Sequence, residues 1–286
     1  MKYYTVDENP FMQVYVDLTT RCNMSCNVCY QTGDDPDMTL EYFTEVCKRL
    51  PKRTFLRFLG GEPTIHPQLF EFMQVASKYK HSVSIITNGI KFADKNFCKE
   101  IKALKIPFVI GMDMSGGINH DDVYEKINGV ECAETKLKAL RYMAEAKFRR
   151  VCLTAIIVRD LNEFVIPELT YLCSVYPKTA RFIHYRTMNK VGRWIESVPY
   201  TCTELTKVVQ SYVCEDRNYK VLRDGVHSDQ GVCRKCCYSF WLHGNLLIEV
   251  IETGSENVYK CWRRGKLLDN FKLQRFFEHM KEVDCK

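Results

Sequence analysis

The sequence predicts an α/β protein: a partial (β/α)6 TIM-like barrel over residues 1–199, followed by a small cysteine-rich α+β auxiliary domain over residues 200–286. Three observations carry that expectation. Six short runs rich in branched and aromatic residues recur along the first two thirds of the chain, segments with helical spacing separate them, and the alternation ends before a dense group of cysteines. Near-continuous apolar strands alternating with helices belong to a parallel sheet covered by helices, and six such units build an open barrel whose reactive groups gather at the C-terminal ends of its strands.

The predicted strands are Val14 to Leu18, Thr54 to Leu59, Val83 to Thr87, Phe108 to Met112, Val151 to Val158 and Arg181 to Arg186. Helical spacing links Leu40, Phe43, Cys47 and Leu50, then Leu69, Phe72, Met73 and Ala76, and later Leu137, Leu140, Met143 and Ala144. From Asn189 a linker containing Gly192, Trp194 and Pro199 leads to one more helical segment, Thr203 to Val213. Beyond it, Cys237 to Val250 continues through a turn containing Gly254 to Cys261 and reads as a hairpin with a cysteine at each foot, and a short helix is predicted at about Leu273 to Lys281.

At 286 residues, 46% hydrophobic and 27% charged, the chain is long enough to bury one large core and a small appendage. No apolar run approaches the roughly 20 residues that span a bilayer, and the first residues lack a secretory pattern, so a cytoplasmic protein with no membrane partner is expected. The formal charge of +6 permits an anionic substrate, yet the basic residues are scattered at 48–53, 147–150 and 262–266, as on a solvated surface. Fifteen cysteines, an odd number, cannot all pair internally; in a reducing compartment such residues bind metal or sit buried.

Three of them, Cys22, Cys26 and Cys29, form a C-x3-C-x2-C array directly after the first strand. Thiolates so closely spaced can wrap one face of an iron-sulfur cube and leave the fourth iron open to a ligand. A structural zinc site normally recruits a fourth protein ligand, and the next thiol or imidazole is Cys47, on a helical apolar face, or His66. Zinc or buried thiols remain the alternatives for this loop taken alone.

The second strand ends in Gly60-Gly61-Glu62-Pro63, the third in Thr87-Asn88-Gly89 and the fourth in Asp113-Met114-Ser115-Gly116. In this order, from Val14 to Arg186, the chain resembles the radical S-adenosylmethionine superfamily, in which the cysteine loop holds a 4Fe-4S cluster and the methionyl amine and carboxylate of S-adenosylmethionine chelate its open iron. The resemblance implies that Glu62 accepts hydrogen bonds from the methionyl ammonium while Gly60 and Gly61 let the main chain approach the ligand. It places Thr87, Asn88, Asp113 and Ser115 at the ribose and the methionyl group, and Val158 and Asn162 at adenine. The residue before the third cysteine, usually aromatic in the family, is Val28 here, and an aromatic follows at Tyr30. The implied reaction is reductive cleavage to a 5'-deoxyadenosyl radical that abstracts hydrogen from a substrate, with a reductase such as flavodoxin or ferredoxin as electron donor. A non-catalytic iron-sulfur carrier or a zinc-stabilised binding module is the alternative class.

Five cysteines crowd the tail: Cys233, Cys236, Cys237, Cys261 and Cys285. Hairpin, helix and flanking cysteines resemble the SPASM or twitch domains of that superfamily, which implies a second 4Fe-4S cluster held by Cys233, Cys236 and Cys261 with Cys237 or Cys285 as fourth ligand. A structural zinc ion suits the same thiols. Because the chain stops one residue after Cys285, at most one auxiliary cluster is expected, and about 13 residues before the first strand leave no room for a leader-binding domain. Peptides, nucleotides or nucleic-acid bases, and small metabolites all remain open as substrates. Cys47, Cys98, Cys152 and Cys173 read as core and His66 as structural, whereas Tyr185, Arg186 and Arg193 are expected at the barrel mouth.

Overall fold

The computed structural model describes residues 2–31, 35–188, 195–213, 220–222, 237–242, 246–251 and 263–276. Strands β2 (Gln13–Thr19), β3 (Phe55–Gly60), β4 (Ser82–Thr87), β5 (Phe108–Asp113), β6 (Val151–Ile157) and β7 (Ala180–Thr187) pair in sequence order and all in parallel. They are the six predicted strands, with ends within one residue of those expected. Helices α1 (Leu40–Arg49), α2 (Leu69–Lys78), α3 (Lys95–Ala103), α4 (Asp121–Asn128), α5 (Ala133–Glu145) and α6 (Val165–Val175) fill the connections.

Strand alternation sorts the side chains. Val14, Val16 and Leu18 of β2 and Leu56 and Phe58 of β3 are wholly buried against the helices, where Phe43 meets Phe72 at 4.9 Å and Phe58 at 5.6 Å between ring centroids. The intervening Tyr15, Arg57 and Leu59 point to the opposite face and line a cavity. Cys47, Cys98, Cys152 and Cys173 lie in the core, as expected.

Both edges of the six-stranded core are extended by the C-terminal region. After α7 (Cys202–Val213), β9 (Cys237–Leu242) and β10 (Leu246–Ile251) form a hairpin inside the span Cys237 to Val250 predicted as a single arm, which corrects that expectation, while Gly254 and Cys261 lie outside the described residues; β8 (Lys220–Leu222) adds to β9, and β10 runs parallel to β7. At the other edge, β11 (Arg264–Leu268) runs parallel to β2, and β12 (Lys272–Arg275) and β1 (Tyr4–Thr5) complete the sheet. Eight parallel strands thus curl around one interior, since Ile251 of β10 and Arg264 of β11, seven positions removed from each other in the sheet order, line the same cavity.

The predicted helix at 273–281 is corrected at its start, Phe276 being its one helical residue among those described. Leu273 to Arg275 are strand, with Leu273 opposite both Leu267 and Tyr4. Asn270 and Phe271 both adopt left-handed conformations, φ 56° and 58°, which turn the chain into a tight hairpin and commit Lys272 to Arg275 to sheet pairing. The spacing of Leu273, Phe276 and Phe277 fits helix equally well, and the hairpin partner Leu267 together with the distant Tyr4 decides between the two.

Leu273 is fully buried between two strands while Lys272 beside it is exposed. Leu273→Ala is therefore expected to lower unfolding stability by about 2–4 kcal/mol in urea titration, and Lys272→Ala to leave it within about 0.5 kcal/mol.

Candidate active site

The C-terminal ends of β2, β3, β4 and β5 converge on a cavity of about 240 Å³ lined by Cys22, Cys26, Cys29, Glu62, Asn88 and Asp113, among others. Two glycines make this convergence possible. A Cβ on Gly60, at φ +123°, would stand 2.1 Å from the Thr19 carbonyl oxygen, and one on Gly61 would stand 2.0 Å from that of Arg21. In their place Gly61 N–H donates to Thr19 O at 2.7 Å and Glu62 N–H to Arg21 O at 2.8 Å. The close approach that the sequence assigns to a ligand is thus already made by the backbone leading into the cysteine loop. Thr19 also donates to Asp37 at 2.6 Å, and Asp37 pairs with Arg21, so the start of the loop is fixed from both sides.

Glu62 is 1% exposed, and its carboxylate accepts four hydrogen bonds. Thr64 N–H at 3.0 Å, Thr64 hydroxyl at 2.6 Å and Thr87 hydroxyl at 2.7 Å share Oε1, while Asn88 N–H reaches Oε2 at 2.7 Å. Burial raises the Glu62 carboxyl above its usual range, and these donors oppose the rise. Asn88 extends the link to the loop by donating its side-chain amide to Asn23 at 2.7 Å.

Asp113, at the end of β5, is held by three elements. Lys136 of α5, wholly buried, donates to its Oδ2 at 2.7 Å and its carbonyl at 2.8 Å; Ser115 donates to Oδ1 at 2.6 Å. Asn128, last in α4, donates to Oδ2 at 3.2 Å and to Cys26 Sγ at 3.4 Å. Neither Asn128 nor Lys136 figures in the sequence motifs; the one available signal is a lysine on the apolar face of a helical repeat.

Burial pushes the Cys26 thiol up to about 12 against the Asn128 hydrogen bond, and burial likewise raises Cys22. Left alone, these thiols hold their protons. A cationic metal centre reverses that, because binding releases the protons, and the N–H donors at Cys26 and at Cys29, where Gln31 N–H lies 3.3 Å from Sγ, match thiolate charge. Among the described residues no three His, Cys, Asp or Glu side chains are gathered closely enough for a single metal ion. Cys22, Cys26 and Cys29 all line one cavity, and a cube takes each thiolate on a separate iron, so the chemistry of the donor set fits a 4Fe-4S cluster.

The remaining predicted residues divide. Gly60, Gly61, Thr87 and Tyr30 line the cavity with the cysteines. Ser115 is fully buried behind Asp113, where it also accepts from Ile156 N–H at 3.1 Å. Asn162, equally buried, clamps the end of β6, its amide joined to Val158 N–H at 2.7 Å, Ser115 O at 2.7 Å and Ile156 O at 2.8 Å. Val158 joins Val28 in a small apolar cluster beside Cys26 and lines an adjoining hollow with Asn27 and Leu161. Tyr185 is corrected: it faces outward, fully buried, and donates to Ile166 O at 2.8 Å, while Arg186 lines the cavity. Strand alternation forbids both from facing inward. Arg193, Cys233, Cys236, Cys261 and Cys285 lie outside the described residues; Cys237 opens β9 opposite Ile251.

The sequence model of the Radical SAM superfamily matches residues 16–169. The chain is 24% identical to the 7,8-dihydro-6-hydroxymethylpterin dimethyltransferase of Methanocaldococcus jannaschii, covering 62% of this chain and 36% of that protein. It is 25% identical to the GTP 3',8-cyclase of Aquifex aeolicus, covering 70% of this chain and 65% of that one. Streptococcus suis SuiB bound to the precursor peptide SuiA shares the fold, with a TM-score of 0.59, 15% identity and coverage of 72% of this chain and 47% of SuiB. The chain thus spans between 36% and 65% of the length of these curated relatives.

Since a Cβ on Gly61 collides with main-chain atoms, Gly61→Ala must displace the cysteine loop. The variant is expected to keep its far-ultraviolet circular dichroism, to lose about 2 kcal/mol or more in urea unfolding, and to retain little iron after anaerobic reconstitution.

Proposed function

The chain belongs to the Radical SAM superfamily, and from that premise we propose that it is an enzyme using S-adenosylmethionine at the cavity formed by its cysteine loop to modify a substrate held in the barrel. The observation that carries the proposal is the meeting of Cys22, Cys26, Cys29 and buried Glu62 at the C-terminal ends of parallel strands, around one cavity. A 4Fe-4S cluster with S-adenosylmethionine bound supplies a 5'-deoxyadenosyl radical on one-electron reduction.

The protein's own part is binding, orientation and exclusion of water. In this reading Cys22, Cys26 and Cys29 hold the cluster, and Asn128 directs an N–H at the Cys26 sulfur. Glu62, held by Thr64, Thr87 and Asn88, presents its remaining acceptor capacity to the methionyl ammonium. Asp113, anchored by Lys136, faces the ribose or methionyl group. Ser115 and Asn162 act by fixing the ends of β5 and β6, and Val28 with Val158 gives adenine an apolar wall. Tyr30 borders the cavity on the substrate side, its ring edge-on to Phe276 at 6.2 Å.

Residues 200–286 constitute the auxiliary part in this proposal, with Cys233, Cys236 and Cys261 and either Cys237 or Cys285 binding a second 4Fe-4S cluster, structural zinc being the competing occupant. The electron comes from a flavodoxin- or ferredoxin-type reductase. Among the described residues no helix is long and apolar enough to cross a membrane, in keeping with a cytoplasmic enzyme.

Reconstituted protein with dithionite and S-adenosylmethionine is expected to form 5'-deoxyadenosine, measured by liquid chromatography, and Cys26→Ala to abolish it. A fully loaded cluster that yields none refutes the enzymatic reading. Iron and acid-labile sulfide are expected at about eight each per chain; about four each with one equivalent of zinc assigns the tail to zinc instead.

A further inference from the structure

The cavity that contains the cysteines is also lined by arginines. Arg57 of β3, Arg186 of β7 and Arg264 of β11 all line it, and Arg57 and Arg264 are each 4% exposed. Burial, with the like charges of Arg57 and Arg264 nearby, holds Arg186 below the ordinary guanidinium value. Around them lie Lys266, paired with Asp17, and His184, whose Nε2 stands 2.8 Å from Glu249 Oε2. The carboxylates in this region each face another base. Among the described residues neither Arg57 nor Arg186 has a carboxylate within ion-pair distance, and the Nε of each is buried without an acceptor. Arg57 instead donates Nη1 to the neutral Gln13 side chain at 3.2 Å and lies over the Tyr15 ring at 5.5 Å.

A guanidinium does not discharge when buried, and an uncompensated buried charge costs several kcal/mol. Among the described residues Arg57 and Arg186 thus bring two buried guanidiniums to the cavity with no carboxylate in ion-pair contact and each Nε unsatisfied. A phosphate ester carries about two negative charges and presents three oxygens to forked donors, whereas a carboxylate brings one charge and two oxygens. We infer that Arg57 and Arg186, with Arg264 alongside, form a subsite for a phosphate group of the substrate, which makes the substrate a phosphorylated small molecule or nucleotide anchored at these arginines in the cavity that the cysteine loop borders. The inference rests on reading the cavity as the Radical SAM active site.

Calorimetric titration of the reconstituted holoenzyme, its cluster oxidised and S-adenosylmethionine saturating, with inorganic phosphate and pyrophosphate at constant ionic strength provides the test. Saturable binding of either anion is expected, weakened at least about tenfold by Arg186→Gln, the loss of charge-assisted hydrogen bonds, and less by Arg186→Lys. Arg57→Gln is expected to act likewise, and if it fails to fold Arg186→Gln alone decides. Absence of saturable binding overturns the inference, as does equal binding by wild type and Arg186→Gln. Acetate or benzoate binding as tightly as phosphate at the same arginine also overturns it, assigning the arginines to a carboxylate such as that of a peptide. 5'-Deoxyadenosine formation is measured on the same preparation: normal formation without anion binding refutes the phosphate subsite alone, and anion binding without formation refutes only the enzymatic reading.

Discussion

Everything at the mouth of this barrel hangs on the carboxylate of Glu62. It is buried at the end of one strand, takes hydrogen bonds from the end of the next, and its own amide is bonded to the cysteine loop. A carboxylate withdrawn from water is costly unless its lone pairs are satisfied, and here four donors engage it, three on Oε1 and one on Oε2. The strand ends therefore cannot move independently: shifting β4 strands a buried charge, and shifting the loop breaks the bonds to Gly61 and Glu62. The paired glycines serve the same constraint, for only without side chains does β3 come near enough to the loop to be bonded to it.

The same rule organises the other side of the mouth. Asp113 is surrounded by Ser115, Asn128 and Lys136, each from a different segment, and Asn128 links that group to Cys26. Two polar nodes, each satisfied by several elements, thus hold the loop of thiols from opposite directions. Such satisfied networks specify one geometry more sharply than apolar packing does, and a site that must hold reacting atoms about 3–3.5 Å apart requires that sharpness.

What was legible in the sequence is what local pattern encodes. The six barrel strands are apolar runs long enough to be buried, β3 and β5 end in Gly60 and Asp113, and Asn88 directly follows β4, so both the strand positions and these tips can be read directly. Side-chain direction was less legible: Tyr185 and Arg186 are neighbours that must face opposite ways, and deciding which faces inward requires knowing that Ile183 and Tyr185 belong to the helix-facing core. The strand at Leu273 escaped because its spacing suits helix and its partners are Leu267 and, far off in the chain, Tyr4. Ser115 and Asn162 sit at the strand ends where a ligand contact is expected, yet their hydrogen bonds go to the protein, a distinction only three dimensions supply.

Arg57 illustrates how a residue escapes motif reading while shaping a cavity. It stands inside Thr-Phe-Leu-Arg-Phe-Leu, where the apolar neighbours identify a strand and the arginine looks like an interruption. Strand periodicity turns that interruption into information: with Leu56 and Phe58 fixed against the helices, Arg57 must point into the barrel. One cavity of the barrel therefore brings together the thiols, the carboxylates of Glu62 and Asp113, and guanidinium charge. Hydrophobic side chains would fill such an interior more stably than buried cations do, so the arginines are placed for an anion that shares the cavity with the thiols.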